Sequence, residues 1–405
     1  MKCVVFDVDG VLLGEEQYFN ASALAVWEIL YSRDYMGLPT EQDDFVPSRV
    51  SAGQIAYIRN RVWGEDRLLS WLYRHNAESM WDMSHLCMLG ILWSMAREYK
   101  QRTGGADRLS FSIHKPEDFR ALGMQVMGLH VPLAEQIVQL FKTVIPEQVM
   151  GNDIFDLLKK EMEKDITGDS SFIDRFSDFY RLQIEAFENW YLGDTLYVRQ
   201  MHRLPYSGGK SGLLYRENSL VPAQEIREML ERLKQNGFQI GVATGRSRIE
   251  TEIPFRALGW YDEFSPQHIA TATDAEEASA ALGGMRLYKP NPFLISCAAF
   301  GRNPARYGAY SRGTARPGAG DVVWVIGDAD VDLYGARAMG AKFIGVRTGF
   351  DSEGSTVNLF EKEKVLCIDN TEIKNYGHRK RTADCSGLRS FIVAECGNPS
   401  YGNRQ

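Results

Sequence analysis

The chain has 405 residues, 44% of them hydrophobic and 24% charged, enough for two or three domains with buried cores, so wholesale disorder is excluded. Its formal net charge of −7 argues against a nucleic-acid partner, which needs a basic face. The longest apolar run, Leu86–Met95, is about ten residues and too short to cross a bilayer.

In chain order, Cys3–Phe6 (CVVF) reads as a strand buried on both faces, running straight into Asp7-Val8-Asp9-Gly10. From about Glu15 to about Gly209 helical periodicity takes over. Helical stretches are expected over Ala21–Tyr31, Glu65–Lys100, Leu133–Val144, Ile154–Lys164 and Phe172–Trp190. Six of the eight tryptophans fall here (Trp27, Trp63, Trp71, Trp81, Trp93 and Trp190), which predicts a helical domain with its own aromatic core. Pro205–Gly212 (PYSGGKSG) reads as a hinge. It evokes a phosphate-binding loop, but the first glycine of that motif is replaced by Leu204.

Beyond the hinge, strands and helices alternate. A helix opens at Pro222 with Ile226, Met229, Leu230 and Leu233 on one face. Strand Phe238–Ala243, helix Arg248–Leu258, strand Val322–Ile326, helix Val331–Met339, strand Lys342–Val346 and strand Val365–Ile368 follow. Alternation of this kind implies a parallel sheet covered on both faces. Residues 1–14 and 213–376 are therefore expected to form one discontinuous α/β domain, with residues 15–212 inserted after its first strand and residues 377–405 as a polar tail. Gly301–Gly320, rich in Gly, Arg and Pro, reads as a flexible loop. The six cysteines include no CxxC pair, and the N-terminus reaches acidic residues at once. Both features favour a reduced, cytoplasmic protein without a secretory leader.

Four segments carry chemistry: Asp7-Val8-Asp9-Gly10, Ala243-Thr244-Gly245-Arg246, Lys289-Pro290 and Gly327-Asp328-Ala329-Asp330-Val331-Asp332. In open parallel sheets, ligands bind beyond the carboxyl ends of the strands, where all four would meet. Phosphoryl transfer needs a nucleophile, a cation, donors to the phosphate oxygens and a proton carrier for the leaving oxygen. Asp7 suits the nucleophile and Asp9 the acid/base. Asp328 and Asp332 add hard oxygens for Mg²⁺. Lys289 would neutralise Asp7 and the phosphate, Thr244 and the Gly245 amide would hold phosphate oxygens, and Arg246 would grip a substrate anion.

Each segment alone has a plainer reading: a turn, a capped helix or a solvated lysine. Neither acidic segment is a calcium loop. Val11 and Tyr18 occupy liganding slots of the first, and Leu333 and Met339 occupy the Gly and Glu slots of the second. The cap histidines His75, His85, His114 and His130 lack metal-ligand spacing.

As a set, FDVDGVL, VATGR, YKPNP and GDADVD resemble the four motifs of the haloacid dehalogenase superfamily in its phosphatase branch. The stretch from Leu214 to Gly349 is most similar to phosphoglycolate-phosphatase-like members. The resemblance implies a Rossmann-like core with a helical cap inserted after the first strand. It also implies a Mg²⁺-dependent phosphatase that hydrolyses a small organic phosphate monoester through an aspartyl phosphate. Its roles would be Asp7 as nucleophile and metal ligand, Asp9 as acid/base and metal ligand through its backbone carbonyl, and Asp328 as metal ligand. Asp332 matches the last acidic position of the fourth motif, and Thr244 and Lys289 would contact phosphate. An acid two residues after the nucleophile argues against dehalogenation and phosphonate cleavage. A phosphomutase on the same core, or a non-catalytic binding protein using the cap, are the alternatives. The cap, at roughly 195 residues by its pattern shifts, exceeds what such relatives usually carry. The expected partner is a small phosphorylated metabolite, with no nucleic acid and no membrane; the sequence leaves the oligomeric state open.

Overall fold

The computed structural model describes residues 1–40, 45–77, 79–349 and 355–368. The expected tail over 377–405 lies outside them, as do Cys385 and Cys396. The chain divides into two compact units, residues 16–216 and residues 1–15 with 217 onward. Among the described residues no helix is long and apolar enough to cross a membrane.

The chain opens with β1 (Lys2–Phe6), which belongs to the second unit. The helical unit follows as α1 (Glu16–Tyr31), α2 (Ala52–Trp63), α3 (Arg67–Arg74), α4 (Met80–Arg102), α5 (Asp118–Val126), α6 (Ala134–Val144), α7 (Asp153–Met162) and α8 (Asp178–Met201). The two-residue strands β2 (Leu109–Ser110) and β3 (Ile166–Thr167) pair in parallel, a small departure from an all-helical unit.

The stretch expected to run from Glu65 to Lys100 is two helices. Asn76 turns the chain with φ 60°, and Ser79 restarts it by accepting the Asp82 N–H at 3.1 Å. Five of the six tryptophans are buried, but Trp81 is 41% exposed. His85 on α4 is fully buried. Its Nδ1 accepts the Gln183 amide at 2.7 Å, and its Nε2 donates to the Ile173 carbonyl at 3.2 Å, a tautomer assigned from these partners. Burial pushes its pKa down to about 3, against the smaller upward pull of both bonds.

Gly193 breaks α8 with φ 76°. A Cβ there would stand 2.6 Å from the Gly212 nitrogen, so the close approach of two backbones requires glycine. The expected hinge around Lys210 is locked within this unit. Lys210 is buried against Glu28 at 2.9 Å, and Glu28 also accepts from Trp190 Nε1 and Ser207 Oγ, both at 2.9 Å.

The α/β unit continues with α9 (Ala223–Gln235), β4 (Gln239–Ala243), α10 (Arg248–Ala257), β5 (Ile269–Ala270), α11 (Ala272–Ala281), α12 (Phe293–Phe300), α13 (Tyr307–Ser311), β6 (Val322–Gly327), α14 (Asp330–Met339), β7 (Lys342–Val346), α15 (Ser355–Lys362) and β8 (Leu366–Ile368). The six strands run parallel in the order β5-β4-β1-β6-β7-β8. This is the expected Rossmann-like sheet, with the helical unit inserted after β1.

The opening strand is thus central, with Val4 opposite Ile240 on one side and Trp324 on the other. Its alternating side chains feed two cores. Val4 and Phe6 pack with Ile240, Leu230 and Trp260, while Cys3 and Val5 pack with Val325, Cys297 and Ala336. The segment Gly301–Gly320, expected to be a flexible loop, is instead built into the second core. It holds α13, and Tyr310 is fully buried with its hydroxyl donating to the Gly301 carbonyl at 3.0 Å. One large aromatic anchor outweighs the Gly- and Arg-rich composition around it.

Candidate active site

Three neighbouring strands, β4, β1 and β6, are followed directly by Thr244, Asp7 and Asp328 respectively. The Asp7 amide still donates to the Ile326 carbonyl at 2.9 Å, so sheet pairing fixes the start of the turn that follows. Gly10 then adopts φ 68°. A Cβ on it would meet Asp328 Oδ2 at 2.3 Å, and one on Gly349 would meet the same oxygen at 1.8 Å. Asp328 therefore lies in a cradle of two side-chain-free backbones. Thr348 closes the cradle by donating its hydroxyl to the Gly10 carbonyl.

Lys289, next to a cis peptide bond to Pro290, reaches Asp332 Oδ1 at 2.6 Å and Asp7 Oδ1 at 2.8 Å. Asp332 stands in the first turn of α14 and is 1% exposed. Asp7, Asp328 and Asp332 each bring a carboxylate oxygen within 4.8 Å of the others. Three of the four predicted segments thus meet at one point.

The electrostatics are strained in one direction. Burial, then the charge of Asp332, pushes the Asp7 carboxyl up to about 7, with Lys289 pulling the other way. Asp328 is raised well above the carboxylate range by burial first, then by Asp7, Glu15 and Asp332. Burial alone would depress the Lys289 ammonium, but Asp332 and Asp7 more than reverse this and leave it raised. When ionised, three carboxylates against one ammonium would leave two negative charges, which a divalent cation would balance. Asp332 Oδ2 is buried with no hydrogen-bond partner, an orphaned acceptor that a cation would satisfy. An all-oxygen donor set of few carboxylates suits Mg²⁺.

The second predicted segment is arranged differently from expectation. Thr244 is fully buried, and its Oγ1 accepts the Arg246 N–H at 3.1 Å. Gly245 is exposed, with open space where a Cβ would stand. The helix starts only at Arg248, capped by Ser247, so the Gly245 amide precedes the helix rather than opening it. Arg246, expected to face a substrate anion, is 2% exposed. Its Nε and Nη2 both bond Asp9 Oδ1, at 2.9 and 2.5 Å, its Nη1 bonds Glu217 Oε1 at 3.2 Å, and Nη1 also meets the Glu250 carbonyl. A guanidinium engaged by two carboxylates inside the protein holds Asp9 in place instead of waiting for a ligand.

Asp9's carboxylate is not one of the three clustered ones; it is bonded to Arg246 instead. Sequence reasoning missed Glu217, Glu15 and Thr348. None carries a local signal, because each matters only through a neighbour distant in the chain.

A family model described as haloacid dehalogenase-like hydrolase matches residues 132–340, just over half of the chain. No protein in a search of curated sequences matches. Among solved structures, a target of the Northeast Structural Genomics Consortium is 28% identical with a TM-score of 0.76, over 92% of this chain and 97% of that one. That overlap includes the helical unit, so the large insertion is shared. The phosphatase Tt82 from Thermococcus thioreducens is 19% identical with a TM-score of 0.42, over 89% of this chain and 99% of its own. A predicted phosphoglycolate phosphatase from Haemophilus somnus is 14% identical with a TM-score of 0.36, over 92% and 96%.

Proposed function

This chain belongs to the haloacid dehalogenase-like hydrolases, and from that premise we propose that it is a Mg²⁺-dependent phosphomonoesterase acting on a small organic phosphate through an aspartyl phosphate on Asp7. The single observation that carries the reading is Lys289 bonded at once to Asp7 and Asp332, with Asp328 in the same cluster. Such a grouping of buried charges is poor as a structural device. Desolvation outweighs the attraction when like charges crowd, and perturbed carboxylates of this kind mark functional sites.

In the proposed reaction, Lys289 favours the ionised form of Asp7 against its burial and screens the incoming phosphate. A carboxylate oxygen of Asp7 attacks phosphorus in line with the ester oxygen; the Asp7 O–P bond forms and the ester P–O bond breaks. Asp9 gives its proton to the departing alkoxide. It then takes a proton from the water that attacks phosphorus, releasing inorganic phosphate and restoring Asp7. Arg246 holds one oxygen of Asp9, fixing its direction for both transfers. The Thr244 hydroxyl and the amide of the exposed Gly245 are the proposed donors to phosphate oxygens. Mg²⁺ held by Asp7, Asp328 and Asp332, with the Asp9 carbonyl as a further proposed ligand, would supply charge neutralisation at the phosphate.

The test is hydrolysis of an aryl phosphate with and without Mg²⁺. Phosphate release is expected to need the metal, to stop on chelation, and to fall by about a thousandfold or more in Asp7→Asn. Retained activity in that variant would overturn the assignment. A strict requirement for a bisphosphate would favour the mutase, and no turnover across a broad ester panel would favour a binding protein.

A further inference from the structure

The helical unit contains a cleft of about 360 Å³ that no step of the proposed reaction uses. Trp27 and Tyr31 stand one turn apart on α1, and Tyr57 and Arg61 one turn apart on α2, so each pair shares a helical face. The two faces meet as walls of the cleft, with Leu38 completing its apolar side. The Trp27 ring lies 4.2 Å from Tyr31, and 5.9 Å from Tyr57 at 82°. Roughly 16 Å of helix, at about 1.5 Å per residue, separates Trp27 from Glu16 at the start of α1.

Trp27 is 2% exposed, yet its Nε1–H has no hydrogen-bond partner, and neither has the buried Nη1 of Arg61. Both groups donate only. Polar groups shielded from water are nearly always paired, and those that are not call for an explanation. The second guanidinium at the cleft, Arg102, is already engaged by Glu98 Oε1 at 2.5 Å and by the Gly128 carbonyl at 3.1 Å. None of the described residues lining the cleft is acidic. Two unmet donors, one of them charged, are therefore carried by residues that line a space of ligand size beside an aromatic wall. Burial raises the Tyr31 phenol while Arg61 partly offsets it, which puts the guanidinium charge close to that wall.

The geometry points to a small-molecule site here, for an organic anion with a flat apolar body and a single oxyanion head. Arg61 and Trp27 take the head and Tyr31 flanks the body. Tyr57, the outer wall at 39% exposure, turns aside to admit the ligand. The site shares no residue with the carboxylate cluster and does not depend on the phosphatase reading.

Calorimetric titration of the full chain tests it, with indole-3-acetate as the carboxylate probe, phenylphosphonate as the phosphorus oxyanion and neutral indole as control. At least one anion is expected to bind one to one, with indole about tenfold weaker or more. Arg61→Gln should weaken that binding about tenfold and Trp27→Phe several-fold, as loss of a charged and a neutral hydrogen bond predicts, with aryl phosphate turnover unchanged in both. Which anion binds identifies the head group. Failure of both anions to bind at millimolar concentration, equal binding of indole, or affinity indifferent to both substitutions would each overturn the proposal. If a variant does not fold, the Trp27 indole N–H resonance of the unmodified chain decides. A saturable shift on adding the anion supports the site, and an unmoved signal refutes it.

Discussion

At the scale of single residues, Arg246 changes most between sequence and structure. In the sequence it stands in an exposed-looking turn, VATGR; in the fold it is a buried cation shared by Asp9 and Glu217. Removing one member of a buried pair is more damaging than the pair is stabilising, because the partner charge stays behind without water. Arg246→Gln is therefore expected to lower unfolding free energy by about 3–5 kcal/mol, read by chemical denaturation, and Glu217→Gln added to it should recover part of that loss. In whatever protein remains folded, the same substitution should lower kcat with little change in KM, since it disturbs Asp9, the proposed proton carrier, and not the proposed phosphate contacts. The clustering of Asp7, Asp328 and Asp332 was legible because each follows a strand or opens a helix within its own short segment, and Lys289 was legible only as one of the set. The burial of Arg246 was not, since it depends on Glu217 and Asp9, and neither is its neighbour in sequence.

Several single elements of the α/β unit were read correctly from their own apolar residues. The CVVF strand, the helix from Pro222 and the strand Lys342–Val346 all stand within a residue or two of expectation. What escaped were elements held by others: β5 is two residues long and exists because β4 pairs with it, and α13 is pinned by the burial of Tyr310. The break in α8 belongs to the same class. Gly193→Ala would push a Cβ to 2.6 Å from the Gly212 nitrogen at a positive φ. It is expected to cost at least about 2 kcal/mol, combining left-handed strain with a backbone clash, seen as a lower denaturation midpoint at unchanged m-value.

His85 ties α4 to α8 through Gln183 and is held neutral down to about pH 3. In the unfolded chain it protonates near 6.5. Between those values the unfolded state binds a proton that the folded state refuses, so stability falls as pH drops from 6.5 and levels off below about 3. Relative to His85→Asn, the intact chain should lose about 1.4 kcal/mol for each pH unit in the middle of that window. Parallel slopes for the two proteins in pH-dependent denaturation would refute the account.

At the scale of the whole molecule, each unit has its own core, yet only one is continuous in sequence. Deleting Met1–Phe6 removes the strand between β4 and β6, leaving both with unpaired inner edges that a buried sheet does not tolerate. The α/β unit is expected to lose protection from proteolysis and to lose all activity. The helical unit, which shares none of those strands, should retain its far-ultraviolet helix signal.

That arrangement also dictates an order of events during synthesis. The strand that leads into Asp7 leaves the ribosome before its partners, which begin at Gln239 and Val322. At about 5–20 residues per second, the first of them follows roughly ten to fifty seconds later. Vectorial translation therefore completes the inserted helices while the strand that leads into Asp7 is still waiting, and a nascent chain arrested before β6 would carry a finished insertion but no assembled carboxylate cluster.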